Sequence, residues 1–214
     1  EGGLLLGNDE VLMEKARKFA GHGFQTLRAE TGKIRLNPLI WQSPEFSRHI
    51  EIGYNYRITE FQSAIALGQL DKIDDLMFWR KKSGQLITDV LKSTDLFETQ
   101  VTPKYIDHSF WCVGAKFKDG LEGWYKFRDM LYEECGERVF GAWKVPYNEP
   151  VIKDGLYKHA KIHKHFSSLE LDYAGSCPNA EAIQAKMMVF KTKYRNREAL
   201  DNFIQGLKKT INEF

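Results

Sequence analysis

Thr59 and Gln62 stand at capping-box spacing, the hydroxyl set to accept from a backbone amide and the glutamine side chain set to reach back. This spacing predicts a helix beginning at about Glu60, with Phe61, Ala64, Ile65, Gly68 and then Ile73, Leu76 and Met77 as its buried stripe. Directly before it runs Gly53-Tyr54-Asn55-Tyr56-Arg57, a polar and aromatic loop. A loop anchored on a helix start has a rigid base, which is what a ligand-holding segment needs.

Two readings of that loop fit its residues. A phosphate is held well by an amide donor, a hydroxyl and a guanidinium that converge from fixed backbone, and Tyr54, Asn55, Tyr56, Arg57 and Thr59 supply those groups. Equally, two half-buried packing tyrosines, an asparagine at positive φ in a turn, and an arginine paired with a nearby carboxylate would give the same letters. Spacing alone leaves both open.

Composition narrows the class. The 214 residues are 43% hydrophobic and 13% aromatic, enough for a packed core in one large or two small domains. Lys and Arg total 31 against 29 Asp and Glu, and the charges are dispersed, so neither a nucleic-acid footprint nor a polybasic membrane patch is indicated. The apolar run from Gly2 to Leu6 falls far short of the roughly 20 residues of a membrane helix. Three scattered cysteines, Cys112, Cys135 and Cys177, form no CxxC and argue for neither a disulfide framework nor a thiolate zinc site. These features fit a soluble chain in a reducing cytoplasm.

Leu4-Leu5-Leu6 is short enough to be a buried strand, and Asn8-Asp9-Glu10 opens a helix in which Val11, Leu12, Ala16 and Phe19 recur until Gly21 and Gly23. From Phe24 to Ile52 no period holds, and Gly32, Pro38 and Pro44 interrupt, so this stretch is expected to be a long functional loop beside a site or subunit interface. Arg80-Lys81-Lys82 leads into a further helical stretch, Leu86 to Leu91, giving two consecutive helices or one kinked helix. Ser109 to Phe117 favours a strand, Trp124 to Cys135 an amphipathic helix, and Ala199 to Phe214 a last helix with Leu200, Phe203, Ile204, Leu207 and Ile211 on one face. The second half thus reads as a small α+β lobe.

Glu1-Gly2-Gly3, Asn8-Asp9-Glu10, Lys15-Ala16-Arg17, the Gly53–Ala64 segment and Cys177-Pro178-Asn179-Ala180-Glu181 together resemble, in that order, the DegT/DnrJ/EryC1/StrS family of pyridoxal-phosphate-dependent sugar aminotransferases. The resemblance implies an α/β, type I aminotransferase-like fold. Residues 1–76 would be the end of the large cofactor-binding domain, including an interface loop at 24–58; residues 77–94 would be a linking helix, and 95–214 the small α+β C-terminal domain. It implies pyridoxal 5'-phosphate as cofactor, a nucleotide-sugar substrate, an amino-acid donor such as glutamate, and a homodimer whose active site is shared across the interface. Asn55 would reach the cofactor phosphate of the partner subunit, with Tyr54 and Arg57 lining the pocket. The cofactor-bearing lysine is expected just upstream of Glu1, so this chain supplies no catalytic residue by itself.

One departure bears on the substrate. Where many members carry a Pro-Leu-His segment, this chain has Ala142 to Pro150, which makes Trp143 and Tyr147 the candidates for the sugar pocket, with Trp41 and Arg48 of the long loop as further candidates for a nucleotide or subunit contact. Two other functions stay open: a family-related sugar dehydratase in which histidine replaces the lysine, and a non-catalytic half-protein acting in dimerisation or regulation. His159 and His163, four apart and followed by His165, are rejected as a metal site because no carboxylate or cysteine completes the set and Lys158, Lys161 and Lys164 would repel a cation. His22 and His108 read as turn or packing residues.

Overall fold

The computed structural model describes residues 2–159 and 172–214. The chain divides into two compact units, Glu1–Lys72 and Ile73–Phe214; the division falls a little before residue 76.

In the first unit, helix α1 (Glu10–Ala20) starts where Asp9 accepts from Leu12 N–H at 2.9 Å, and it stops where Gly21 N–H returns to the Lys18 carbonyl at 3.0 Å. The stretch expected to be irregular contains a small antiparallel hairpin, β1 (Leu27–Arg28) with β2 (Gly32–Lys33), and one helical turn, α2 (Pro38–Trp41), capped by Asn37. Strands of two residues are too short for a period-two pattern to register, so periodicity could not have revealed them. Leu4-Leu5-Leu6 forms no strand: among the described residues nothing pairs with it, and Leu4 and Leu6 are 91% and 86% exposed. A strand needs a ladder partner to hold its backbone groups.

Helix α3 (Glu60–Leu70) begins at Thr59 with both halves of the capping box made, Gln62 N–H to the Thr59 hydroxyl at 3.3 Å and Thr59 N–H to Gln62 Oε1 at 3.1 Å. Its expected buried stripe is absent within this unit, where Phe61, Ile65, Leu67 and Leu70 are all exposed. Phe61, Ile65, Leu67 and Leu70 project around the whole helix at 100° per residue, so no single face could be covered by one neighbour. A helix apolar all round is built for the interior of a larger body.

The second unit has its own core. Strands β3 (Phe97–Thr99), β4 (Cys112–Phe117), β5 (Phe140–Gly141) and β6 (Met187–Lys191) form one antiparallel sheet in the order β3-β4-β6-β5. Along β4 the alternation buries Val113, Ala115 and Phe117, and along β6 Met188 and Phe190. Helices α4 (Ile73–Lys92) and α5 (Gly120–Cys135) and the C-terminal helix Arg197–Glu213 cover that face with Ile87, Leu91, Phe127, Leu131, Leu200 and Leu207, all fully buried. Phe97 touches Phe117 and Phe127 with ring centroids 5.3 Å apart in each pair, locking sheet to helix. Strand β4 starts at Cys112 rather than Ser109 because Phe110 takes a left-handed backbone conformation, φ 50°, which extended pairing cannot include. The three cysteines are free thiols.

Candidate functional site

The Gly53–Arg57 segment is laced to the end of α1 by backbone bonds. Tyr54 N–H donates to the Phe19 carbonyl at 2.6 Å, Tyr56 N–H to Ala20 at 2.9 Å, and His22 N–H to Tyr54 at 2.9 Å. Asn55 sits at the centre, bridged antiparallel to Gly21. This approach depends on Gly23, whose φ of +68° suits glycine and where a Cβ would stand 1.8 Å from the Glu51 carbonyl oxygen.

On that frame the sequence-derived residues Tyr54, Asn55 and Arg57 come together. Arg57 Nε donates to Asn55 Oδ1 at 2.9 Å, which leaves the Asn55 amide nitrogen as a free donor. A second guanidinium nitrogen lies 3.3 Å from His22 Nε2; arginine only donates, so His22 accepts there and carries its ring proton on Nδ1. Both partners of Arg57 are neutral, and among the described residues it forms no ion pair. The reading in which Arg57 pairs with a carboxylate therefore does not hold here. The Tyr54 and Tyr56 rings stack at 5.5 Å and 6°, with Phe19 edge-on to Tyr54 at 5.2 Å, yet the tyrosines stay 53% and 65% exposed. They form an open aromatic face beside a cationic, donor-rich corner.

His22 and His49 support this corner and were not assigned to it from sequence. His22 has φ 62°, a turn residue as expected, and its carbonyl accepts from His49 Nδ1 at 2.7 Å. His22 and Arg57 lie 35 residues apart, and no spacing rule connects them. Trp41 and Arg48 meet each other, with the guanidinium 5.4 Å from the indole centroid and donating to the Trp41 carbonyl at 2.5 Å.

Trp143 and Tyr147 stand in the second unit. Trp143 is 92% exposed. Tyr147, in a short 3-10 turn over Pro146–Asn148, donates its hydroxyl to Glu181 Oε1 at 2.6 Å, and the same oxygen accepts from Gly175 N–H at 2.8 Å. The bond to the Glu181 carboxylate, aided by partial burial, pushes the Tyr147 phenol up to about 12. Glu181 belongs to the Cys177–Glu181 segment, where Pro178 opens the helix Pro178–Gln184. That segment therefore ties down the turn carrying Tyr147.

Of the histidine trio, His163, His165 and the side chain of His159 lie outside the described residues. Among the described residues no group of three or more His, Cys, Asp or Glu could hold a metal ion, and no helix is long and apolar enough to cross a membrane.

The model of the DegT/DnrJ/EryC1/StrS aminotransferase family matches residues 1–198. The chain is 25% identical over 193 residues to GDP-perosamine synthase of Escherichia coli O157:H7, covering 89% of this chain and 45% of that protein. Its fold is similar to that of PseC, an aminotransferase of pseudaminic acid biosynthesis from Helicobacter pylori, with TM-score 0.63 and 20% identity over 97% of this chain and 48% of that one. It is also similar in fold to GDP-4-keto-6-deoxymannose-3-dehydratase (ColD), TM-score 0.58 and 18% identity, covering 94% and 48%. The chain thus spans about half the length of each of these relatives. The match across nearly all of its length, on an α/β fold shared with sugar aminotransferases, shows that this chain belongs to the DegT/DnrJ/EryC1/StrS aminotransferase family.

Proposed function

We propose that the protein carrying this chain is a pyridoxal-phosphate-dependent transaminase that aminates a nucleotide-linked keto-deoxysugar with an amino acid such as glutamate as donor, acting as a homodimer with a shared active site. The observation that carries the reading is the Asn55–Arg57 pair: an arginine bound, among the described residues, by neutral acceptors alone, beside a free amide donor, on backbone tied to the end of α1. That donor set fits a phosphate monoester, which needs charge and several N–H groups at once. Pyridoxal phosphate, when bound, supplies the electron sink for moving the amino group.

Asn55 and Arg57 would hold the phosphate, Arg57 offsetting its charge, while the Tyr54–Tyr56 face shields that contact from water. Trp143 and Tyr147 would line the sugar end, with Glu181 fixing the phenol. The Glu181 bond leaves Tyr147 a proton donor already engaged, so its role is to position, not to abstract a proton. Family membership and the kinship with a perosamine synthase support the sugar-amine assignment.

The shared fold with a 3-dehydratase supports a second reading, loss of a sugar hydroxyl in place of gain of an amine. Mass spectrometry of the sugar product after incubation with glutamate and a nucleotide-linked 4-keto-6-deoxysugar decides between them. A product carrying nitrogen from glutamate is expected; a deoxygenated keto sugar without nitrogen means dehydratase, and no change in any sugar sinks both. Peptide mapping after borohydride reduction should also find a pyridoxyl group on the protein.

A further inference from the structure

The second unit contains a cavity of about 760 Å³ between α4 and residues 99–114, which the transaminase reading does not use. Its floor is a break in the sheet. Strand β4 runs beside β6 from Cys112 to Lys116, whereas its ladder with β3 covers only Ala115 to Phe117 and ends where Thr99 meets Ala115. Cys112, Val113 and Gly114 therefore have a strand on one side alone, and all three line the cavity. Phe117 N–H donates to the Lys186 carbonyl on the β6 side at 2.8 Å, and Lys118 N–H to the Leu96 carbonyl on the β3 side at 2.9 Å. Backbone groups alternate in direction along an antiparallel strand, so Cys112 and Gly114, in step with Lys118, turn theirs to the side that β3 has left.

The chain itself keeps that side open. Beyond Thr99, Pro103 has no N–H for a ladder and opens a turn closed by Ile106 N–H on the Pro103 carbonyl at 3.0 Å. At the other end Phe110, at φ 50°, stops β4 from starting earlier. Its ring lies against Gly84 of α4, where a Cβ would come within 2.2 Å of Phe110 Cγ, and its carbonyl accepts from the buried Thr192 hydroxyl at 2.5 Å. Left-handed backbone at a bulky residue persists only where its surroundings over-determine it. The slot is thus built into the lobe, about 10 Å long over its three strand residues.

The walls carry charge. Lys81, Lys82, Lys92 and Lys104 line the cavity with a single carboxylate, Asp107, a surplus of three positive charges. Asp107 is taken by Lys81 at 2.5 Å, and Lys82 sits over the Phe78 and Trp79 rings. Lys92 and Lys104 have no partner among the described residues.

We propose that this slot binds an extended acidic segment of a partner protein, which adds a short strand beside Cys112–Gly114 and sets its carboxylates against Lys92 and Lys104. A strand edge is completed by polypeptide, whose N–H and C=O groups repeat at strand spacing. The lysine surplus selects glutamate and aspartate in that segment over lysine and arginine. Phe78 and Phe110 give its apolar side chains a surface to cover.

The test is fluorescence anisotropy of a dye-labelled hexapeptide of alternating glutamate and valine, titrated with the whole protein. Saturable binding is expected, with hydrogen exchange of the Gly114 N–H slowed at least fivefold by saturating peptide. The same peptide N-methylated at every second amide keeps its side chains but cannot complete a ladder, and it should bind at least tenfold more weakly. A lysine–valine peptide should not bind, and the Lys92→Gln/Lys104→Gln protein should hold the glutamate peptide at least fivefold more weakly. Absence of glutamate-peptide binding overturns the proposal, as does equal binding of the N-methylated or the lysine peptide, or unchanged affinity in the double variant. These readouts are independent of transaminase activity.

Discussion

Arg57 illustrates how a residue's neighbours set its use. Neutral acceptors hold its guanidinium in place without cancelling its charge, so the charge remains for a ligand. Asn55→Ala removes both the acceptor that orients Arg57 and the free amide donor. It should weaken binding of pyridoxal phosphate by about 1.5–3 kcal/mol, roughly 10- to 100-fold in Kd, measured by absorbance titration. Asn55→Asp should cost more, since a new carboxylate would pair with Arg57 and repel phosphate. For Tyr147, the Glu181 carboxylate raises the phenol to about 12 from its ordinary 10. A raised folded-state value means that the stabilising contribution is complete below pH 10 and is lost as pH climbs towards 12. Ultraviolet difference titration should show one tyrosine ionising late, and Glu181→Gln should return it to the ordinary range. The ligand-type residues Tyr54, Asn55 and Arg57 could be picked from the sequence because they sit next to a capping box. His22 could not, because its contact with Arg57 closes over 35 residues.

Elements whose sequence carries a sustained period were legible. The capping box at Thr59, the Asp9 helix start, the stripe of the C-terminal helix and the alternation of β4 all state their structure locally. The hairpin and the single turn α2 between them hold by cross-links such as Gln25 N–H to the Arg48 carbonyl at 3.0 Å and Ile50 N–H to Gly23 at 2.9 Å, which leave no periodic trace. Gly23→Ala should break this lacing, because the positive φ alone costs about 1–3 kcal/mol and the Cβ would overlap the Glu51 carbonyl. A fall in the thermal midpoint, together with weaker cofactor binding, is the expected outcome. In the second unit Phe127, fully buried against Phe97 and Phe117, should cost about 3–5 kcal/mol when cut to alanine, seen as a lower denaturant midpoint with unchanged m.

At the scale of the molecule the two units differ in self-sufficiency. Residues 73–214 close a sheet under three helices, whereas in residues 1–72 helix α3 and Leu4–Leu6 leave large apolar side chains in the open. Exposed patches of that kind mark surfaces made for contact. Residues 1–214 expressed by themselves should bind a hydrophobic dye strongly and aggregate in light scattering, while residues 73–214 stay monodisperse. Equal dye binding by both would show that α3 is covered within the chain. The homodimer reading predicts a light-scattering mass of two chains for the whole protein.

Sequence alone determined the helix starts at Asp9 and Thr59, the α/β class, the ligand-type composition of the Gly53–Arg57 loop and the family, since each rests on motifs whose residues lie near one another in the chain. Tertiary structure decided that Arg57 has no carboxylate partner among the described residues, that Tyr147 is committed to Glu181, and that Phe110 is strained against Gly84 beside a lysine-rimmed cavity. Each of these is a contact between residues far apart in sequence, where a pattern of neighbours carries no information and only the folded backbone sets the distance.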